Sequence, residues 1–241
     1  MSKIIAFYGS PGSGKTTVAF KTALLTYSCT PEAKILFLSP DMTVPSIALL
    51  FPNYRPEEVL TLGQILDATD VGETAVFKNM VTVERKEDFA CLGFKSGDNI
   101  LSYPTPTDDK IDSLFSTLKG IADYIIVDCT DRSDDKISKR ALLEAEVKFR
   151  VISADPKGMA WFSSMKTVPS FADDKAYNIV NTLEKDLFLA TEEVCSTLGT
   201  VIAIMPYSKG IKQQMIDGRL YEDLKDRAYN NKLEHLLSKI I

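Results

Sequence analysis

Eight residues near the amino end, Gly9-Ser10-Pro11-Gly12-Ser13-Gly14-Lys15-Thr16, spell G-x-x-x-x-G-K-T between an apolar run and a helix-like segment. This spacing constrains the chain strongly. Glycines allow a loop to wrap a phosphate with backbone N–H groups and no Cβ clash, and the helix that follows points its positive end at the same place. Lys15 would then reach the β- and γ-phosphates of a triphosphate, and Thr16 would bind Mg²⁺. The flanks agree: residues 3–8 read as a short buried strand, and residues 17–25 put Ala19 and Ala23 on one helical face. A Gly/Ser-rich turn that matches by chance is the competing reading, and it does not account for those flanks.

The rest of the chain alternates short β-branched runs with helical stretches, the pattern of parallel strands joined by crossover helices. After the first strand, residues 34–39, 122–128, 147–153, 176–181 and 200–205 read as strands. Helices are expected at 109–120, 136–146, 158–165 and 187–198. The expected fold is α/β, a three-layer nucleotide-binding architecture with a mostly parallel central sheet flanked by helices. With 241 residues, 45% of them hydrophobic, residues 1–241 are expected to form one domain. Residues 67–97 are the least readable stretch. Their charged run Glu84-Arg85-Lys86-Glu87-Asp88 is read as a solvated turn or helix face, with a partner-binding insertion as the alternative.

Composition narrows the partners. A net charge of −5 does not favour passive attraction to nucleic acid or to an anionic membrane. The best basic cluster, Lys136, Lys139 and Arg140, sits beside Asp134 and Asp135, and an exposed helix face explains it as well. Cys29, Cys91, Cys129 and Cys195 show no C-x-x-C spacing, so reduced thiols are expected rather than zinc or a disulfide framework. No apolar run approaches the roughly 18 residues that a membrane span requires, and Met1-Ser2-Lys3 leads directly into the first strand, so a cytoplasmic location is expected. The tail repeats apolar residues at Leu233, Leu236, Leu237, Ile240 and Ile241, an amphipathic spacing. Its polar face balances basic against acidic side chains, so core packing is expected rather than membrane attachment. His235 is expected at the surface, Trp161 against the sheet, and Cys129 as a small buried residue rather than a nucleophile.

Two acidic residues complete the candidate site. Asp128 ends the apolar strand Tyr124-Ile125-Ile126-Val127, where a parallel sheet places its carboxyl end beside the phosphate loop. A carboxylate there suits a Mg²⁺-bound water, because Mg²⁺ prefers hard oxygen ligands and keeps most of its waters; capping of the next turn is the alternative. Asp41 follows the strand at 34–39 and either orients an attacking water near the γ-phosphate or caps the Ser39-Pro40-Asp41 turn.

Four segments, in order, resemble the MinD/ParA-like ATPases, a group that includes division-site and partition ATPases and CpaE-type pilus-assembly proteins. The phosphate loop is the first. Residues 36–51, from Leu36 to Phe51, look like the family's switch I strand and loop, a D-x-D or D-P-D followed by a P-S-L-like helix. Asp123-Tyr124-Ile125-Ile126-Val127-Asp128-Cys129-Thr130 is similar to its D-Y-I-I-I-D-T-P strand, which begins switch II. Residues 204–214, beginning Ile204-Met205-Pro206, look like its I-P-x-D-x-x-I stretch near the base. Residues 67–97 stay unmatched.

The resemblance implies a monomer that binds ATP and Mg²⁺, pairs face to face with a second copy, hydrolyses slowly as a timer and acts on a protein partner in a positioning or assembly machinery. It implies that Gly9, Ser10, Pro11, Gly12, Ser13, Gly14, Lys15, Thr16 and Thr17 surround the phosphates, that Thr16 and Asp128 organise Mg²⁺, and that Asp41 positions water. It also implies that Asn181 contacts the base, with a plain strand-end Asn as the alternative, and that the backbone near Pro206 borders the adenine. One departure bears on mechanism: the family's loop reads K-G-G-x-G-K-T, and Ser10 and Pro11 stand where its extra lysine belongs. A serine supplies no charge to the leaving phosphate, so hydrolysis is expected to be weak with binding intact, unless another cation such as Arg132 substitutes. Two further readings stay open: a catalytically feeble scaffold that acts through partner contacts, and a small-molecule kinase, for which no compact R-x-x-x-R lid is evident.

Overall fold

Alternating side chains in the first strand set the layers. Ile4, Ala6 and Tyr8 point to one face and Ile5 and Phe7 to the other, and all five are fully buried, so both faces of this strand must be covered. The computed structural model describes residues 2–52, 61–83, 85–173, 175–185 and 188–241. Its strands are β1 (Lys3–Gly9), β2 (Ile35–Ser39), β3 (Val81–Val83), β4 (Lys86–Gly93), β5 (Tyr124–Asp128), β6 (Val147–Ser153), β7 (Tyr177–Asn181) and β8 (Val201–Met205). Helices in chain order are α1 (Lys15–Cys29), α2 (Ile47–Leu50), α3 (Leu62–Asp67), α4 (Glu73–Asn79), α5 (Asp108–Ile121), α6 (Lys136–Glu144), α7 (Pro156–Met165), α8 (Thr191–Leu198), α9 (Lys209–Ile216) and α10 (Arg227–Leu237).

The strands form one sheet in the order β3-β4-β2-β5-β1-β6-β7-β8, parallel throughout except for the β3–β4 pair. On one face Ile4, Ala6, Tyr8, Leu36, Leu38, Ile125 and Val127 pack against Leu114, Phe115 and Leu118 of α5, Ile137 and Ala141 of α6, and Val194 of α8. On the other, Ile5, Phe7, Phe37, Ile126 and Phe149 pack against Val18, Phe20 and Ala23 of α1 and against Leu233, Leu236 and Leu237 of α10. This is the expected three-layer, mostly parallel α/β architecture.

The tail is core, as read: Leu233, Leu236, Leu237 and Ile240 are buried, while Ile241 is exposed. Among the described residues no helix is long and apolar enough to cross a membrane. Trp161 packs edge-on against Phe171 under the sheet, Cys129 is fully buried with its thiol pushed up by burial, and His235 is exposed.

Several boundaries differ from the sequence reading, for identifiable reasons. The expected helix at 158–165 starts at Pro156, because Asp155 caps it by accepting from Gly158 N at 2.7 Å and proline is tolerated in the first turn. The helix expected to reach 146 stops at Glu144, and Glu146 N donates instead to Ile4 O of β1. The start of the last crossover helix, expected at 187, falls on a residue outside the described ones; α8 is described from Thr191. The largest correction is in residues 67–97. Arg85 turns at φ 62° and Lys86, Glu87 and Asp88 begin β4, so most of this run is a strand entrance rather than a helix face; Glu84 lies outside the described residues. The apolar half of β4, Phe89 to Gly93, pairs in parallel with β2.

Candidate functional site

Both neighbours of β1 end where the phosphate loop begins. Gly9 closes β1 in register with Val151 of β6, and Phe7 lies opposite Asp128 of β5. The approach at Gly9 leaves no room for a side chain: a Cβ there would lie 1.8 Å from Val151 O, with φ at 151°. Ser10 N then donates to Val151 O at 3.1 Å and Ser13 N to Ser10 O at 3.2 Å, which curls the loop back towards α1. Helices α5, α6, α7, α9 and α10 each begin with a side chain that accepts an N-terminal amide; α1, preceded by Gly14, has no such cap, as α2, α4 and α8 have none, and carries no acidic residue in its first turn. Its free amides and positive end therefore face the loop, a disposition suited to an anion.

Lys15 and Thr16, the first residues of α1, both reach Asp128. Lys15 Nζ lies 3.2 Å from Oδ1 and Thr16 Oγ1 donates to Oδ2 at 2.7 Å, with Asp128 almost fully buried at the end of β5. Burial pulls the Lys15 ammonium down, but Asp128 outweighs it and the net shift is upward, so Lys15 stays charged. The hydroxyl of Thr16 and the carboxylate of Asp128 are hard oxygen donors of the kind Mg²⁺ prefers, and this ion completes its shell readily with phosphate oxygens and water. Among the described residues no group of three or more His, Cys, Asp or Glu gathers into a metal cage. The pair thus fits a magnesium ion brought in with a nucleotide.

Asp41 stands in the loop after β2 and accepts from Thr43 N at 2.8 Å and Val44 N at 2.9 Å through Oδ1, the turn-capping geometry. The same loop touches the one after β5: Arg132 Nη1 donates to Thr43 Oγ1 at 3.2 Å, while its Nε and Nη2 hold Asp134 at 2.9 and 2.6 Å. Asp135 caps α6 by accepting from Ser138 N, and Ser138 Oγ in turn accepts from Thr130 N, which fixes the loop's root. Burial raises the carboxyl of Asp135.

Beyond Gly14 a cleft of about 690 Å³ opens, lined by Gly12, Thr17, Asn181, Pro206, Tyr207 and Met215 among others. Asn181 ends β7 and donates from Nδ2 to Ser13 O at 2.7 Å, bracing the loop; Pro206 follows β8 and lines the same cleft. Ser10, the departure from the resembled motif, is buried, with Oγ accepting from Ser153 N at 3.4 Å and 3.5 Å from Ser153 Oγ. The structure therefore gathers Gly9, Ser10, Pro11, Gly12, Ser13, Gly14, Lys15, Thr16, Thr17, Asp128, Asn181 and Pro206 around one edge of the sheet. Sequence reasoning missed Thr43 and the Thr130–Asp135–Ser138 chain; the only advance signal was the Asp135-x-x-Ser138 capping spacing.

A phosphate loop of this geometry, at the carboxyl edge of a parallel sheet covered on both faces, is the nucleotide-binding P-loop fold. The sequence matches no protein-family model and no curated protein. Solved structures of ParA/MinD ATPases do share the fold over nearly the whole chain. A ParA family ATPase from Chlorobium tepidum TLS aligns at TM-score 0.77 with 14% identity, covering 96% of each chain. The septum site-determining protein MinD from Pyrococcus horikoshii OT3, complexed with Mg-ADP, aligns at 0.71 with 18% identity, covering 100% of this chain and 96% of that one. A plasmid partition protein of Borrelia burgdorferi B31 bound to AMPPNP also aligns at 0.71 with 18% identity, over 100% of this chain and 98% of its own.

Proposed function

We propose that this chain is a MinD/ParA-like ATPase: a single nucleotide-binding domain that takes up ATP with Mg²⁺, hydrolyses it slowly, and uses the bound state to position or assemble a larger machinery, such as a pilus, secretion, conjugation or division apparatus. The observation that carries this reading is the convergence of Lys15 and Thr16 on Asp128 beneath an uncapped helix end, beside a cleft of nucleoside size. Relatives in fold were solved with Mg-ADP and with AMPPNP, which supports the choice of ligand.

In this reading Lys15 gives up Asp128 for the β- and γ-phosphates, and the amides of residues 12–16 bind the remaining oxygens. Thr16 and Asp128 would hold Mg²⁺, which neutralises phosphate charge when bound. Asp41 orients the water, while Asn181 and the backbone at Pro206 border the base. In hydrolysis the water oxygen bonds to the γ-phosphorus as the bond to the bridging oxygen breaks. The electron pair leaves on ADP, and the proton of the water passes to the released phosphate. Working partners are ATP and ADP, a second copy paired in the ATP state, and a protein of the machinery; nucleic acid and membrane are not expected, and the setting is cytoplasmic.

Ser10 favours a second reading, a nucleotide-binding scaffold with almost no turnover, because its buried hydroxyl carries no charge. Phosphate release under saturating ATP·Mg²⁺ separates the two. The switch reading expects measurable turnover below about 1 s⁻¹, slower than most enzymes, that falls further in Asp41→Ala. Turnover indistinguishable from that of Lys15→Ala would favour the scaffold, and γ-phosphate transfer to a metabolite would revive the kinase.

A further inference from the structure

We propose that Arg132 is the phosphate-facing cation of this chain, standing in for the charge that Ser10 lacks, and that Asp134 holds it away from the γ-phosphate until a nucleotide arrives. The proposal rests on the reading of residues 9–16 as an ATP site and goes beyond it by naming the residue that stabilises the departing charge and the one that restrains it.

Three observations converge. Position 10 does not supply the charge from within the loop, since Ser10 is buried against the end of β6. Arg132 lies four residues past Asp128, in the loop that leaves β5, and its guanidinium crosses to Thr43, two residues past Asp41. It therefore joins the loop that follows β2 to the loop that follows β5, and with Asp41 and Thr43 it lines a cavity at that end of the sheet. The upward pull on Arg132 comes chiefly from Asp134, and the one on Lys15, against burial, chiefly from Asp128; Asp41 adds to both.

The hold on Arg132 is of a kind that exchanges. Its side chain is 45% exposed and that of Asp134 69%, and an ion pair so exposed to water contributes little. A triphosphate offers the same fork more negative charge in the same planar, bidentate geometry. Charge spreads over the γ-phosphate oxygens and the bridging oxygen as that bond breaks, and a guanidinium there stabilises it without being consumed. Among the described residues, other cations near the loop are placed differently. Lys185 and Lys212 line the cleft on the side of Asn181 and Pro206, and Lys136 is paired with Asp108.

Three variants of the full chain, Arg132→Gln, Arg132→Lys and Asp134→Asn, test the proposal by turnover and by the affinity of a fluorescent ADP with and without aluminium fluoride, a mimic of the transferring phosphoryl group. Arg132→Gln is expected to lower both turnover and the aluminium-fluoride enhancement at least about tenfold, with ADP affinity within about twofold of the parent because the contact belongs to the transferring group. Arg132→Lys should restore little, since an ammonium lacks the fork, and Asp134→Asn should raise both quantities. An Arg132→Gln protein with parental turnover and enhancement overturns the proposal, as does an Asp134→Asn protein as impaired as Arg132→Gln, which would mark the pair as merely structural. A parent that binds no ADP overturns the nucleotide reading itself, and this proposal with it.

Discussion

Gly14 turns the phosphate loop into α1 at φ 73°, and a methyl group on it would lie 2.5 Å from Asn181 Nδ2, the amide that braces Ser13. Gly12 has nearly the same backbone, φ 69°, with nothing within 4 Å of its missing Cβ. The two glycines therefore separate strain from collision. Left-handed backbone costs a residue with a Cβ about 1–2 kcal/mol, so Gly12→Ala is expected to lose about that much in urea unfolding without nucleotide. Gly14→Ala should lose about 1 kcal/mol more, because the Asn181 hydrogen bond must shift as well; equal losses would show that the brace contributes nothing. The glycines, Lys15, Thr16 and Asp128 were legible in the sequence, since their chemistry depends on spacing along the chain. Asn181 as a brace was not: its contact with Ser13 joins residues 168 positions apart, and only the packed sheet brings them together.

At the scale of elements, α1 is buried on nearly every side, and this includes a lysine. Lys21 is 3% exposed and donates from Nζ to Leu220 O at 2.6 Å and Glu222 O at 2.7 Å, tying the segment between α9 and α10 to the helix that carries the phosphate loop. Burial pulls its ammonium down to about 8, with Asp223 and Glu222 opposing and Lys86 assisting. The folded value is thus below the unfolded one, near 10.5. Between these two values the unfolded chain binds more protons, so stability rises with pH across that window. Relative to Lys21→Met, which cannot titrate, the parent should gain up to about 3 kcal/mol between pH 7.5 and pH 10.5 in urea unfolding; a constant difference would contradict the burial of a charged lysine. Strands and helices with clean apolar periods were legible to within a few residues. The β3–β4 hairpin was not, because Lys86, Glu87 and Asp88 occupy the exposed entrance of β4 and mask the apolar half that pairs with β2. Short helices α3 and α4, with six and seven residues, fall below the length at which helical periodicity shows.

Across the whole molecule, the order β2-β5-β1-β6-β7 brings the carboxyl ends of five parallel strands to one edge, and Asp41, Asp128, the phosphate loop, Ser153 and Asn181 lie at or just beyond those ends. A parallel sheet closed on both faces has its irregular backbone there, which is why the candidate residues lie on loops, at strand ends or, for Lys15, Thr16 and Thr17, in the first turn of α1. The fold class was legible because alternation of apolar runs and helices prescribes it. The contact of the β2 and β5 loops through Arg132 and Thr43 was not, since sequence order alone does not say that β2 and β5 are neighbours. Titration calorimetry of ATP·Mg²⁺ into the full chain and into Lys15→Ala tests the central claim most directly. The account predicts micromolar or tighter binding to the parent, a free energy of about −8 kcal/mol or better, and no measurable heat of binding with the variant. Equal affinity for both proteins, or no uptake by the parent, would contradict it.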